Sequence, residues 1–173
     1  FARLEPLLSE HTIVASNTSG LPIAQMMEGR SPSLKKRFLV THFFNPVRYM
    51  KLLEIIAGKD TAPDVVERVS RFGQDILGKG IVHGKDTPNF VANRIGVFAM
   101  MHLIKLAIDG GYTVEGIDAI FGAPLGRPKS AVFRTADVVG LDNIIHVANN
   151  CYESLTGDER REDFKVPALL DQM

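Results

Sequence analysis

The stretch FLVTHFFNPVRYMKLLEIIA, which runs from Phe38 to Ala57, decides how the first half of the chain folds. It contains two runs rich in aliphatic and aromatic residues, Phe38–Phe44 and Lys51–Ala57, which are typical of strands. The connection between them, Asn45–Met50, is short enough to join neighbouring strands. We therefore predict an antiparallel pair.

The pairing register of these strands decides whether the stretch carries chemistry. If Phe44 lies opposite Leu52, the side-chain period of two also places His42 opposite Glu54 on one face. On an apolar face, the imidazole and the carboxylate must satisfy each other. A carboxylate that holds one ring nitrogen leaves the other to take a proton, as a general base does. The residues alone also allow a purely structural pair, and a register slipped by one residue would separate the two groups.

Further strands and helices are predicted on both sides of this pair. The predicted elements are the strands Thr12–Ser16 and Gly80–Gly84 and the helices Leu21–Met27 and Ala62–Leu77. Gly78 ends the last of these helices. The run Gly78–Gly84 is rich in glycine, but its third glycine is out of position for a dinucleotide loop and a strand follows it. Mixed strands and helices indicate an α/β fold for this half.

Beyond Lys85 the spacing of apolar residues becomes helical. Thr87 as cap and Pro88 at the first helical position predict the start of a long helix, which two glycines at 110 and 111 end. Further helices are predicted over Val114–Phe121 and Leu141–Leu155. We therefore divide the chain near residue 86 into an α/β domain, residues 1–86, and an all-α domain, residues 87–173.

The composition excludes several function classes. The chain has 173 residues, 45% of them hydrophobic, and equal numbers of basic and acidic residues, 20 each, so nucleic acid is not an expected partner. A single cysteine, Cys151, excludes an internal disulfide, and the histidines lack metal-ligand spacing, so no metal site is predicted. No apolar run approaches the ~20 residues of a membrane span. We expect a cytoplasmic or organelle-matrix protein with no membrane span.

Two further polar segments are candidates for a site. Ser16–Gly20 follows a predicted strand and precedes a helix, so it is expected at the carboxyl edge of the sheet, where open α/β sheets bind ligands. Capping of the helix that contains Pro22 is the alternative role for Ser19. Asn93, on the first turns of the long helix, is either a core amide or a substrate contact.

Five blocks resemble the L-3-hydroxyacyl-CoA dehydrogenase family. The most specific is HFFNPV at 42–47, followed by MKLLE at 50–54; the others are SNTS at 16–19, DTPNFVANR at 86–94 and DVVGLD at 137–142. The resemblance implies the C-terminal part of a Rossmann-type NAD-binding domain followed by the family's all-α domain, both truncated. It also implies NAD-dependent oxidation of an L-3-hydroxyacyl-CoA to a 3-ketoacyl-CoA in fatty-acid β-oxidation.

The resemblance assigns roles to individual residues. His42 would remove the hydroxyl proton as hydride leaves the same carbon, and Glu54 would orient and support His42. Ser19 and Asn45 would line the pocket shared by nicotinamide and substrate, and Asn93 would reach the acyl-CoA substrate from the helical domain. The family commonly dimerises through that domain, so a homodimer is expected. The family's main NAD-binding loop has no counterpart in this sequence.

Other interpretations concern the second half and the ends. The segment Gly122–Phe133 carries Arg127 and Lys129, which would approach a CoA phosphate or lie in a solvated loop, and resembles β-oxidation proteins fused to an enoyl-CoA hydratase. One alternative makes the helical half chiefly an assembly module. Another is a related β-hydroxyacid dehydrogenase with a CoA-free substrate; those enzymes generally use a lysine base, so the histidine argues against it. Apolar helical patterns at Phe1–Leu8 and Val166–Met173 suggest truncation at both ends.

Overall fold

A computed structural model of the chain describes residues 1–168 and 170. It consists of two compact units, one from Phe1 to Val91 and one from Ala92 onward. The first is an α/β unit and the second is helical, as the sequence predicts. Half of the predicted helical pattern Val166–Met173, residues 169 and 171–173, lies outside the described residues. The pattern at Phe1–Leu8 forms only a short 3-10 helix, Glu5–Leu7.

A four-stranded sheet forms the centre of the first unit. Its strands, in spatial as well as chain order, are β1 Val14–Ser16, β2 Phe38–Phe43, β3 Leu52–Ala57 and β4 Gly80–Gly84. The pairs β1–β2 and β3–β4 are parallel, and β2 runs antiparallel to β3. His42 lies opposite Glu54 and Val40 opposite Ile56, so the predicted register is confirmed.

Helices cover both faces of the sheet. They are α1 Ile23–Met26, α2 Pro32–Lys36 and α3 Pro63–Arg71, and a π-helical segment, Phe72–Ile76, continues α3. One face buries Phe38, Val40 and Ile56 against residues that include Ile23, Met27 and Leu34. The other face buries Leu39, Leu53 and Ile55 against Val65. Because successive side chains of a strand point to opposite faces, the strands contribute residues to two separate apolar cores.

In the described part of the second unit, four α-helices pack around one core. They are α4 Ala92–Gly110, α5 Val114–Ile120, α6 Phe133–Val139 and α7 Leu141–Ser154. Met101, Ile104, Ala148, Cys151 and Phe164 are each no more than 1% exposed at its centre. The sequence did not predict α6. The Asp118 carboxylate, from α5, accepts hydrogen bonds from the first N–H groups of α6 at 2.8–3.1 Å, a capping partner distant in sequence.

The start of the long helix is a correction to the sequence prediction. The helix α4 begins at Ala92 and not at Pro88 with Thr87 as its cap, because Asn89 and Phe90 have positive φ angles of 58° and 47°. Left-handed backbone cannot continue into a right-handed helix. Residues 87–91 instead form a turn, in which the Phe90 N–H donates to the Thr87 carbonyl at 3.0 Å. The division between the compact units therefore follows Val91, shortly after the predicted boundary near residue 86.

Candidate active site

A buried imidazole–carboxylate pair joins the two antiparallel strands. Nδ1 of His42 lies 2.6 Å from Oε2 of Glu54, and the two residues are only 3% and 0% exposed. Because a carboxylate only accepts hydrogen bonds, Nδ1 is the donor. The contact is in the range of a charge-assisted hydrogen bond. It fixes the tautomer and makes Nε2 the ring nitrogen that can take a proton from a substrate.

Aromatic rings hold the imidazole in place. The ring of Phe44 meets His42 edge to face at a centroid distance of 4.5 Å, and the ring of Phe90 does so at 5.6 Å. Val40, two residues before His42 on the same strand face, is fully buried. The histidine therefore lies on an apolar surface with a fixed orientation, which a general base requires before substrate arrives.

The second oxygen of Glu54 is also engaged. Oε1 accepts a hydrogen bond from the backbone N–H of Val91 at 3.0 Å. Both carboxylate oxygens thus have donors, which lets the charge remain buried. This contact depends on the left-handed turn at Asn89 and Phe90, which bends the chain back toward β3.

We call residues 86–91 the linker turn, and it contacts α1, the loop after β1 and the His42–Glu54 pair. Both carboxylate oxygens of Asp86 accept from the N–H of Ile23 at 3.1 Å and so cap α1. A Cβ atom placed on Gly20 would lie 3.0 Å from Oδ1 of Asn89, so the loop after β1 packs tightly on this turn. Sequence reasoning missed these contacts, although the family block at residues 86–94 marks the segment.

The loop after β1 occupies the predicted edge of the sheet. Oδ1 of Asn17 accepts from the N–H of Phe43 at 2.9 Å and ties the carboxyl ends of β1 and β2 together. Ser19 is exposed in this loop, and the helix it was considered to cap receives no side-chain cap from it: Pro22 is the N-cap residue of α1. The alternative role for Ser19 as a cap is therefore wrong.

Asn45 lies at the same edge, two residues after the end of β2. Its side chain is exposed and its peptide bond to Pro46 is cis. Because β1 and β2 are parallel, Ser19 and Asn45 follow adjacent carboxyl ends. Hydroxyl and amide groups at such an edge can bind a polar ligand beside the buried base.

Asn93 belongs to the second unit and is described there. It is half-buried in the first turn of α4, next to Arg94, which forms an ion pair with Asp158. The backbone N–H of Arg160, and then the Arg94 side chain, hold the pKa of Asp158 below its ordinary value. This pair anchors the first turn of α4, on which Asn93 lies.

The remaining candidates are not brought to a site. Arg127 and Lys129 are exposed in the connection between α5 and α6. Across residues 1–168 and 170, no group of three acidic, histidine or cysteine side chains is placed to hold a metal ion. In the same part of the chain, no helix has the length and apolar character needed to cross a membrane.

Comparison with known proteins identifies relatives of both halves. The family model described as 3-hydroxyacyl-CoA dehydrogenase, NAD binding domain, matches residues 1–87, and the model of the C-terminal domain matches residues 90–173. A probable 3-hydroxyacyl-CoA dehydrogenase of Bacillus subtilis is 52% identical over 171 residues, which are 96% of this chain and 22% of that protein.

A second curated protein and a solved structure are also similar to this chain. A putative fatty acid oxidation complex trifunctional enzyme of Rickettsia felis is 37% identical over 174 residues, 100% of this chain and 24% of that protein. The crystal structure of FadB2 from M. tuberculosis matches with a TM-score of 0.87 at 30% identity, over 99% of this chain and 58% of that one. The chain thus spans less than a quarter of these two curated relatives. Since family models match both halves in order, the chain belongs to the 3-hydroxyacyl-CoA dehydrogenase family.

Proposed function

We propose that the protein containing this chain is an NAD-dependent dehydrogenase that oxidises L-3-hydroxyacyl-CoA to 3-ketoacyl-CoA in fatty-acid β-oxidation. The observation that carries the proposal is the buried His42–Glu54 hydrogen bond of 2.6 Å in a chain of this family. A base held by a buried carboxylate suits removal of a hydroxyl proton, and such catalysis contributes roughly 10²- to 10⁴-fold in rate.

In this proposal each residue has one task. Nε2 of His42 takes the proton of the 3-hydroxyl group, and Glu54 stabilises the positive charge that the ring then carries. Ser19 and Asn45 contact the nicotinamide end of the cofactor and the substrate, and Asn93 contacts the substrate. When NAD is bound, it supplies the acceptor for the hydride that leaves the same carbon.

The residues at the sheet edge fit the nicotinamide end of NAD. Two exposed polar side chains, Ser19 and Asn45, follow parallel strands beside a buried base. The chain offers no glycine-rich loop of dinucleotide spacing: at Gly78, with a φ of 63°, the backbone turns into strand β4. We propose that the loop holding the rest of NAD belongs to the longer protein, of which this chain is the C-terminal part of one domain and part of the next.

His42→Ala in the full-length protein tests the assignment. The variant should lose NADH-dependent reduction of a 3-ketoacyl-CoA by about 10²- to 10⁴-fold while still binding NADH, measured by fluorescence. His11→Ala is the matched control, because His11 is an exposed histidine of the same unit. Wild-type turnover in the His42→Ala protein would remove His42 from its role. If the wild-type protein did not reduce a 3-ketoacyl-CoA with NADH, the proposed function would be refuted.

We also propose that the protein forms a homodimer through the helical unit. Leu106, Tyr112 and Ile120 are exposed by 45%, 61% and 58% and line one apolar groove. Apolar patches of this kind mark interaction surfaces. Light scattering should show a dimer that Ile120→Glu converts to a monomer, and a wild-type monomer at high concentration would contradict the proposal. An assembly module alone is not favoured, since the matching C-terminal family model is that of the dehydrogenase.

Fusion to an enoyl-CoA hydratase is a further part of the proposed function. The Rickettsia felis relative is named a trifunctional enzyme, and the similarity to this chain covers only 24% of its length. Both facts support a longer, multifunctional protein. In such a protein, the hydratase would produce the L-3-hydroxyacyl-CoA substrate of the dehydrogenase by hydration of an enoyl-CoA. Assay of the intact protein for hydration of an enoyl-CoA tests this, and absence of that activity would contradict it. The location proposed is the cytoplasm or an organelle matrix.

A further inference from the structure

The turn that carries Asn45 is a surface structure with few internal contacts. It joins β2 to β3, and the residues from Asn45 to Met50 are all exposed. Its own main-chain hydrogen bonds are local: the N–H groups of Tyr49 and Met50 both donate to the Pro46 carbonyl, at 2.9 and 3.0 Å. A turn of this kind is expected to move unless another part of the protein holds it.

Lys79, the residue before β4, holds this turn in place. Its Nζ donates to the carbonyl of Val47 at 2.5 Å and to that of Met50 at 2.7 Å. The ammonium thus binds two main-chain acceptors on opposite sides of the turn, and charged donors make the stronger hydrogen bonds. The half-buried side chain also passes the ring of Phe43, whose centroid is 6.0 Å from Nζ.

The backbone of Lys79 is itself fixed. Its N–H donates to the Gly73 carbonyl at 2.9 Å, and the next N–H, of Gly80, donates to the Lys51 carbonyl at 2.8 Å. Lysine side chains lose considerable conformational entropy when ordered, so an ordered ammonium needs compensating contacts, which the two carbonyls supply. The contact is therefore anchored to the sheet at one end and to the turn at the other.

We infer that Lys79 is a positioning residue that holds the Asn45–Met50 turn, and with it Asn45 and Phe44, in the geometry the reaction needs. The inference rests on the proposed function. Phe44 links the turn to the base, because its ring contacts His42 at 4.5 Å. Without the ammonium, the Val47 and Met50 carbonyls exchange their partner for water and the turn is no longer tied to β4. Small misplacements of this kind lower rates substantially.

The test uses the full-length protein with Lys79→Met, which keeps an unbranched apolar stem of the same length and removes the ammonium. We expect kcat for 3-ketoacyl-CoA reduction to fall about tenfold and the KM for NADH to rise several-fold, with the KM for the acyl-CoA and the thermal midpoint unchanged. Hydrogen exchange at Tyr49 and Met50 should accelerate. Lys79→Arg should restore most of the rate, because a guanidinium can donate to both carbonyls. Lys59→Met, an exposed lysine after β3, is the matched control.

The outcomes separate this inference from the proposed function. An active wild-type protein with wild-type kcat, KM for NADH and exchange rates in Lys79→Met would overturn the role of Lys79 alone. Loss of activity together with a lowered thermal midpoint and a raised KM for both substrates would also overturn it, since a general structural role produces that pattern. A wild-type protein without NADH-dependent 3-ketoacyl-CoA reduction would remove the proposed function and this inference together.

Discussion

Replacing Glu54 by glutamine removes a charge but little volume, and the surrounding hydrogen bonds determine the effect. Oε2 of Glu54 accepts from Nδ1 of His42 at 2.6 Å, and Oε1 accepts from the N–H of Val91 at 3.0 Å. An amide has one acceptor oxygen and one donor nitrogen, whereas both neighbours are donors. Glutamine therefore cannot reproduce the carboxylate in either orientation.

Both orientations of the amide have a defined penalty. If its oxygen faces His42, its NH₂ group faces the Val91 N–H, and a buried donor left without an acceptor destabilises by about 1–3 kcal/mol. If its NH₂ group faces His42, Nδ1 must accept, so Nε2 carries the proton and cannot take another from the substrate. We expect Glu54→Gln to lower turnover by about 10²- to 10⁴-fold, the contribution of general-base catalysis.

The assay is NADH formation from an L-3-hydroxyacyl-CoA and NAD by the full-length protein, with urea unfolding for stability. Glu67→Gln is the matched control, because Glu67 is exposed on α3 and its contact with Arg71 is a surface pair of 3.6 Å. Turnover of the Glu54→Gln protein equal to that of the wild type would refute the reasoning. A loss of stability without a loss of turnover would leave Glu54 a structural residue only.

Three further predictions concern stability, each measured by urea or thermal unfolding. Asp118→Ala should destabilise the helical unit by about 0.5–2 kcal/mol, because α6 loses its cap, and an unchanged unfolding midpoint would contradict this. Folding lowers the pKa of Asp158, so its stabilising effect is complete above the ordinary pKa of 3.8 and is lost as the pH falls through the lower pKa of the folded state. Asp158→Asn should therefore reduce the loss of unfolding free energy at acid pH. An unchanged dependence of the unfolding free energy on pH would count against the ion pair. Gly78→Ala should destabilise by about 1–2 kcal/mol because φ is 63°, whereas Gly157→Ala, in open space, should not; equal effects would be inconsistent with backbone strain.

Local periodicity predicted the strands and the antiparallel pairing of β2 with β3, because these depend on residues close in sequence, whereas the register was one of two that the pattern allowed. The period of two in β2 and β3 places His42 and Glu54 on the face that buries Val40, and a slip by one residue would have put the two groups on opposite faces. The proposed roles of Ser19, Asn45 and Asn93 come from the family resemblance instead. Exposed polar residues on loops or helix starts have no periodic signal of their own.

Helix starts were less predictable, and two similar dipeptides show why. Ser31–Pro32 begins α2, with Oγ of Ser31 accepting from the N–H of Leu34 at 3.2 Å, and α2 is not among the predicted helices. Thr87–Pro88 has the same form and starts no helix, because the next residues turn left-handed to bring Phe90 against His42. Contacts with residues far away in sequence decide between the two cases, so the missed residues of the site lie where tertiary contacts override a local signal.

The linker turn has a consequence for exchanging domains between relatives. Judged by sequence, residues 86–88 form an ordinary loop, the kind of segment at which parts of two different proteins are joined in a chimera. The capping of α1 by Asp86 and the donation from Val91 to Glu54 make that stretch part of the α/β unit. A chimera that takes its helical part from another family member should therefore change sequence after Val91, because a junction at residue 86 would replace the turn that brings the Val91 N–H to the buried carboxylate.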